Sequence, residues 1–474
     1  MSHATRSLWL EEALAGASYE PPLRGEERAD VCIIGGGFTG LWAALALKER
    51  DAALDVALVE RDVCGGGASG RNGGFVLSWW AKFEALAGLC GSAQALRLAR
   101  ATSDAVTEIG DWCREHGVDA HFRRDGWLWT ATNAAQIGSW DSTIAALERA
   151  GERPFERLDA SEVARRAGSD VHMAGVYEAG AATVQPALLA RGLRSVALSR
   201  GVRIFEHSPM TSLERRRPPV VRTPGGSVIA ERMVIAMNAW ATRLREVRRS
   251  VVVVSSDVVA TAPMPERLAA IGRTDGLCID DSRLLVNYYR TTLDGRLVFG
   301  QGGGTLAFDG RVSDRFDGRS PREDEVRAGL RYCYPDLADV AITHTWTGPI
   351  DRTSIGLPFF WHLGGHDEIV VGVGYSGNGV GPSRLGGRIL ASLALGVDDE
   401  WARCGLARRP AGGWLPPEPA RYLGGKLVRA AVARKERAED AGRRPNRATL
   451  ALARMAPAGL VPINERPDAR MARR

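Results

Sequence analysis

A chain of 474 residues exceeds what one hydrophobic core sustains, so two domains are expected. Hydrophobic residues at 45% and charged residues at 25% describe an ordinary globular protein and exclude a fibrous or disordered one. The net charge of +6 comes from arginine, since only Lys48, Lys82, Lys426 and Lys435 are lysines, and without a nucleic-acid-binding motif it predicts no nucleic-acid partner.

The first 28 residues read as an arm with no apolar core of signal length. Asp30–Ile34 reads as a short apolar strand; Gly35, Gly37 and Gly40 form a G-x-G-x-x-G turn opening an apolar helix over Phe38–Arg50; a second strand, Asp55–Val59, ends in Glu60. This order suits an adenosine dinucleotide: a tight turn, a backbone that can approach a pyrophosphate, close helix–strand packing, and helix N–H groups that favour an anion. Glu60 can accept hydrogen bonds from ribose hydroxyls and disfavours a 2′-phosphate, so NADP is not expected. The run Asp62–Phe75, DVCGGGASGRNGGF, follows. Helices are predicted over Glu84–Arg114 and Ala134–Ala150, with an alternating strand over His121–Thr132 between them. Gln185-Pro186 opens a helix to Ser199, then Val202–Glu206 and Glu231–Ala236 read as strands, the latter leading into Met237-Asn238-Ala239-Trp240. Val251–Gly304 reads as strands with a hairpin at Leu293-Asp294-Gly295, and Pro321–Tyr334 as a helix with acids in its first turn. His344–Phe360 and the glycine-rich Ile369–Gly381 precede a helix of small residues from Pro382. Trp414–Pro419 reads as a stiff linker, Arg421–Ala441 as a basic helix with Leu423, Leu427, Ala430, Ala431 and Arg434 around one side, and Pro462–Arg474 as disordered. Seven scattered cysteines with no C-x-x-C pair predict neither a disulfide framework nor a metal site and fit a reducing cytoplasm. No segment approaches 18 uninterrupted apolar residues, so no transmembrane helix is expected.

The Asp62–Phe75 loop, placed after the second strand, resembles that of the FAD-dependent D-amino-acid oxidase, glycine oxidase and sarcosine oxidase superfamily, nearest its γ-glutamylputrescine oxidase-like branch. Together with Ile369–Gly381 in family order, the resemblance covers most of Ala29–Leu395. It implies an α/β (α+β) fold: a Rossmann-type FAD-binding domain of residues 29–115, 185–245 and 340–397, an interleaved antiparallel-sheet substrate domain of residues 116–184 and 246–339, and a C-terminal helical extension of residues 398–474. It implies noncovalent FAD held first by Gly35, Gly37, Phe38, Thr39, Gly40, Glu60 and Arg61, then by Ala68, Ser69, Arg71, Asn72, Gly73 and Gly74. Met210 is implied near the adenine, and Asn238 and Trp240 near the pyrophosphate. Gly348 and the segment Gly374, Tyr375, Ser376, Gly377, Asn378, Gly379 and Val380 are implied around the pyrimidine end, where the following helix start would favour negative charge on reduction.

The implied reaction is hydride transfer from the carbon beside an amine to flavin N5, giving an imine and then an aldehyde or keto acid, with oxygen or another acceptor reoxidising the cofactor. The substrate lysine that sarcosine oxidases place after their final S-G-x-G run is matched here by Gly381, and their oxygen-site lysine has no counterpart in Val298–Gly303. Where glycine oxidases carry a G-L-R-P-type arginine, Trp346-Thr347-Gly348-Pro349 stands, with Arg352 further on. These departures favour an amine without an adjacent carboxylate. The alternatives are an amino-acid oxidase or deaminase, or a glycine- or sarcosine-oxidase-like enzyme, that uses Arg352 or Arg290, and a flavin-binding subunit with no turnover of its own. Tyr288, Tyr289 and Arg290 lie on a strand expected to roof the flavin, and the catalytic candidates are Tyr289, Trp346 and Asp351; a half-buried strand accounts equally for the tyrosines, and a capped turn for Asp351. His121 and Arg123 are read as an ordinary surface face. The basic helix is expected to pack on the enzyme's own surface or a second subunit, with peripheral membrane contact the lesser alternative. The oligomeric state is left open.

Overall fold

The computed structural model describes residues 6–410 and 415–457. Two eight-stranded sheets organise it. The first runs in the order Phe359–Leu363, His366–Val373, Gly226–Ile235, Gly25–Ile34, Val56–Val59 and Arg203–Phe205, with Val220–Arg222 and Ser212–Glu214 added beside Gly226–Ile235. The pairings from His366–Val373 to Arg203–Phe205 are parallel. Parallel strands are covered on both faces. Accordingly Val31 and Ile33 pack into the core with the helices Phe38–Arg50, Pro186–Ser199 and Pro382–Leu395, whereas Cys32 and Ile34 pack into the opposite one with Val221, Leu244 and Val247.

The second sheet has the order Ile342–Arg352, Val252–Thr261, Leu297–Gln301, Asn287–Thr291, Cys278–Asp281, Trp127–Ala131, Ala174–Glu178 and Glu156–Leu158. It is antiparallel except where Cys278–Asp281 runs parallel to Trp127–Ala131. One face, through Leu128, Ile279, Tyr289, Phe299 and Val259, packs under the helix Glu323–Cys333. The predicted Asp294-Gly295 turn joins Asn287–Thr291 to Leu297–Gln301 as a hairpin. The strand Ile342–Arg352, expected with the flavin-binding part, pairs along its length with Val252–Thr261 and is the edge of this second sheet.

Four local expectations change. The helix predicted over Glu84–Arg114 is two, Phe83–Cys90 and Ser92–Glu115, separated by Gly91 at φ +78°, a left-handed conformation that side chains resist. The Ala134–Ala150 segment is a 3₁₀ turn, Ala134–Gln136, capped by Asn133, and a helix, Asp141–Arg149. Only Trp127–Ala131 of His121–Thr132 is strand; Arg123 makes a single bridge to Thr183. The arm holds a helix, Leu8–Leu14, whose Leu8, Trp9 and Leu10 are buried.

In the C-terminal extension, Ala420–Asp440 and Arg447–Ala453 are helices. They pack through Ala431, Val432 and Ala453 against Leu284 and Leu285, so the basic helix docks on the enzyme's own surface while Leu423 and Leu427 stay exposed. Trp414 of the predicted linker and the segment Pro462–Arg474 lie outside the described residues. Among the described residues no helix is long and apolar enough to cross a membrane, and no His/Cys/Asp/Glu group could hold a metal ion.

Candidate active site

The glycine turn forms as predicted because two backbones meet there. A Cβ on Gly35, at φ +113°, would lie 2.5 Å from the carbonyl oxygen of Ala236, and one on Gly40 would lie 1.9 Å from the carbonyl oxygen of Gly35. Gly37 caps the helix without a side chain, and a Cβ there would meet Ser69 Oγ at 2.9 Å. The bare backbone therefore opens a cleft of about 750 Å³ at the helix N-terminus. Gly35, Gly37, Phe38, Thr39, Glu60 and Arg61 line it from the first two strands. Ala68 and Ser69 close one side, and Met210, Asn238 and Trp240 the other. Glu60 is buried, and its oxygens accept the N–H of Gly36 at 2.7 Å and of Asp62 at 2.9 Å. Arg61 stacks 4.1 Å over the Trp240 ring.

This cleft shares Phe38, Thr39, Ala68, Ser69, Asn238 and Tyr375 with a second cavity of about 1180 Å³. Its floor is built from Arg71, Asn72 and Gly73, from Gly348 to Arg352, and from Tyr375, Ser376, Gly377, Asn378, Gly379 and Val380. Its roof is the second sheet: Ser256, Asp280, Val286, Tyr288, Gly302 and Gly303. Tyr288 hydrogen-bonds Ser256 Oγ at 2.8 Å. Of the predicted cofactor contacts, Gly40, Gly74 and Gly374 line neither cavity; they shape the walls, Gly374 by donating its N–H to Asp351 at 2.6 Å and Gly74 by donating to Asn72 at 2.7 Å. The paired cavities, with the glycines where a backbone must approach a pyrophosphate, fit a flavin adenine dinucleotide.

The catalytic candidates separate. Strand alternation turns Tyr289 to the far face, where it stacks on Phe299 at 5.0 Å and hydrogen-bonds the buried His172, and presents Tyr288 to the cavity instead. Trp346 is fully buried beside Trp9, donates its indole N–H to the carbonyl of Arg71 at 2.8 Å, and lines neither cavity. Both expectations are corrected: Tyr289 and Trp346 support the walls. Asp351 does reach the cavity, but its oxygens take the Gly374 N–H and, at 3.3 Å, the Asn238 amide, so it ties the floor strand to the glycine loop, the capped-turn arrangement. Burial raises its carboxyl to about 7.

Arg352 lines the floor, its guanidinium makes no hydrogen bond or ion pair with any described residue, and burial alone lowers it to about 10. Lys82 is buried and lies close enough for the Arg352 charge, added to burial, to bring its amine to about 7. Arg290 turns away from this cavity, over the Trp9 ring at 4.9 Å, with His121 and Arg123 in a smaller cleft. Sequence reasoning missed Asp280, Val286 and Ser256, because only the register of the second sheet brings them to one face. It also missed the N-terminal helix, which with the two residues before it ties down the Asp62–Phe75 loop: Arg6 pairs with Asp62 at 2.5 Å, Ser7 Oγ donates to the Gly70 carbonyl at 2.5 Å, and Trp9 Nε1 to the Asn72 carbonyl at 2.8 Å.

The family described as FAD dependent oxidoreductase (DAO) matches residues 30–393. Gamma-glutamylputrescine oxidoreductase of Escherichia coli (strain K12) is 30% identical over 401 residues, covering 84% of this chain and 90% of that protein. Among solved structures, glycine oxidase from Geobacillus kaustophilus superposes with a TM-score of 0.66 at 23% identity, covering 81% of this chain and 100% of the other. L-proline dehydrogenase from P. horikoshii also gives 0.66, at 18% identity, over 79% of this chain and 96% of the other.

Proposed function

The chain belongs to the family of FAD-dependent oxidoreductases, and on that premise we propose that it oxidises the carbon–nitrogen bond of a small primary or secondary amine of the γ-glutamylputrescine kind, using noncovalent FAD. The observation that carries this reading is the charge and shape of the second cavity. Phe75, Leu77, Val286 and Tyr288 offer walls for an alkyl chain, and Arg352 offers a guanidinium that no described residue pairs. A guanidinium is the natural partner of a carboxylate. A substrate with its carboxylate several bonds from the reacting carbon would satisfy Arg352 and still leave the amine under the Tyr288 roof. The 30% identity to gamma-glutamylputrescine oxidoreductase supports the same class.

When bound, FAD supplies the hydride acceptor. The protein's own contribution is positioning. Asp351 fixes the Gly374–Ser376 turn against the floor strand, the Trp346–Arg71 and Trp9–Asn72 hydrogen bonds fix the loop below, and the second sheet lines the cavity from above.

An anaerobic titration of the flavin band of the purified protein tests the reading. The panel holds γ-glutamylputrescine, putrescine, sarcosine, glycine, and D- and L-amino acids. Bleaching by γ-glutamylputrescine in preference to putrescine is expected, and readmitted air separates an oxidase from a dehydrogenase. An amino-acid oxidase or deaminase is the second reading, because Arg352 would equally hold an α-carboxylate; bleaching by α-amino acids alone would establish it in place of the first.

A further inference from the structure

Two adjacent acids end the strand Cys278–Asp281, and the fold treats them in opposite ways. Asp281 is saturated: Arg283 Nε and Asn287 Nδ2 each donate to it at 2.8 Å, and the N–H groups of Asn287 and Arg283 at 3.0 and 3.2 Å. Asp280 is just as buried, at 2% exposure, and sits on the wall of the second cavity. Neither of its carboxyl oxygens accepts a hydrogen bond from any described residue. The indole N–H of Trp127 acts on it electrostatically but does not reach hydrogen-bond geometry. Burial and, after it, the neighbouring Asp281 push its pKa well above the usual carboxylate range.

A buried carboxyl with no partner is costly, and native folds seldom keep one unless something else supplies the donor. Asp351, in the same cavity, shows the structural alternative: its oxygens are occupied by Gly374 and Asn238. Register places Asp280 opposite Tyr288 on one side and Trp129 on the other, so aromatic side chains flank it on its face of the sheet. A group rich in N–H donors, cationic, and at home beside aromatic rings is an alkylammonium. Arg352, of opposite charge, lines the same cavity without forming an ion pair with Asp280, so the two groups can address separate points of one ligand.

We propose that Asp280 is the substrate's ammonium anchor, the residue that admits a positively charged amine to the second cavity. The proposal rests on the amine-oxidation reading, which brings an ammonium there. The protons balance without a co-reactant: an arriving ammonium pairs with the carboxylate after the Asp280 proton leaves to water, a neutral amine accepts that proton and reaches the same ion pair, and Asp280 takes the proton back before oxidation, since only the neutral amine has the lone pair an imine needs.

The probe is tert-butylammonium, which has no hydrogen on the carbon bearing nitrogen and so cannot be oxidised, with tert-butanol as its neutral counterpart. Binding to the FAD-loaded protein is measured by calorimetry and by the flavin difference spectrum. Wild type should prefer the cation, and Asp280→Asn, which keeps the shape, should weaken it by roughly 10- to 100-fold while leaving tert-butanol unchanged. Equal binding of the cation to wild type and Asp280→Asn would overturn the anchor. So would a wild type that does not distinguish the cation from the alcohol, a result that needs no variant to fold. The two readings fail separately: amines that bleach the flavin with no Asp280 dependence of probe binding sink the anchor alone, whereas Asp280-dependent probe binding with no amine bleaching sinks amine oxidation alone.

Discussion

Replacing Trp9 tests whether the N-terminal helix is part of the cofactor site. Its indole is 1% exposed, meets Trp346 edge-on at 6.2 Å and lies under the Arg290 guanidinium at 4.9 Å. Its N–H holds the Asn72 carbonyl at 2.8 Å, and its own carbonyl accepts from Gln185 Nε2 at 2.9 Å. The Asn72 side chain in turn clamps Ala68, Ser69 and Gly74 with hydrogen bonds of 3.1, 2.8 and 2.7 Å. Trp9→Phe keeps most of the buried ring but strands a loop carbonyl, a cost of about 1–3 kcal/mol. Trp9→Ala adds an empty site, for a total of about 3–5 kcal/mol. Part of that cost falls on the population of the binding-competent loop, and FAD affinity falls by the same fraction, so Trp9→Phe should raise the FAD Kd by roughly 10-fold and Trp9→Ala by more. Stripping the protein of FAD and titrating the cofactor back by fluorescence quenching measures it. Both variants rebinding FAD with wild-type affinity, while their melting temperatures fall, would refute the link and reduce the helix to packing.

The tyrosine pair gives a second outcome: Tyr288→Phe should raise KM with little change in melting temperature, whereas Tyr289→Phe should lower stability by about 1 kcal/mol and leave steady-state constants intact. Glu436 gives a pH dependence. Burial raises its carboxyl from 4.5 to about 7, so the folded state holds this proton more tightly than the unfolded one. Its contribution is full below pH 4.5 and is lost as pH rises through 7, a change of up to about 3 kcal/mol that Glu436→Gln should remove from melting curves compared at pH 5 and pH 8. Gly35→Ala should yield colourless protein, because its Cβ would stand 2.5 Å from the Ala236 carbonyl at a φ of +113°; a variant that still binds FAD stoichiometrically would contradict the backbone-cradle account.

What could be read from the sequence was mostly backbone. The strand, glycine turn, helix and acid from Asp30 to Glu60 carry their geometry in residue type alone, and the cleft sits where they predict. Predicted contacts from Met210, Asn238, Trp240 and Ser376–Val380 meet at the two cavities. Misreadings came where a single residue decides. Apolar periodicity runs on through Gly91 and Gly138, so one helix was expected where the chain breaks. Tyr288 and Tyr289 are indistinguishable until pairing with Gly300 and Phe299 fixes which of them faces the cavity. Asp280 and Asp281 differ likewise only by face. The helix Leu8–Leu14 is seven residues long, too short to display a period.

The C-terminal helix bears on the order in which the molecule can be finished. Arg429 donates to the Gly303 carbonyl at 2.8 Å, and Glu436 accepts the N–H groups of Leu284 and Leu285 at 2.8 and 3.1 Å, just before the cavity-lining Val286. Both sheets are complete by Val373, so a growing chain can pair every strand before Ala420–Asp440 leaves the ribosome. For that interval the roof loops are unbraced and Leu284 and Leu285 are uncovered. Docking of this helix therefore acts as a late step of assembly, and chains interrupted before it would present a sticky, half-built cavity to the cell's chaperones and proteases.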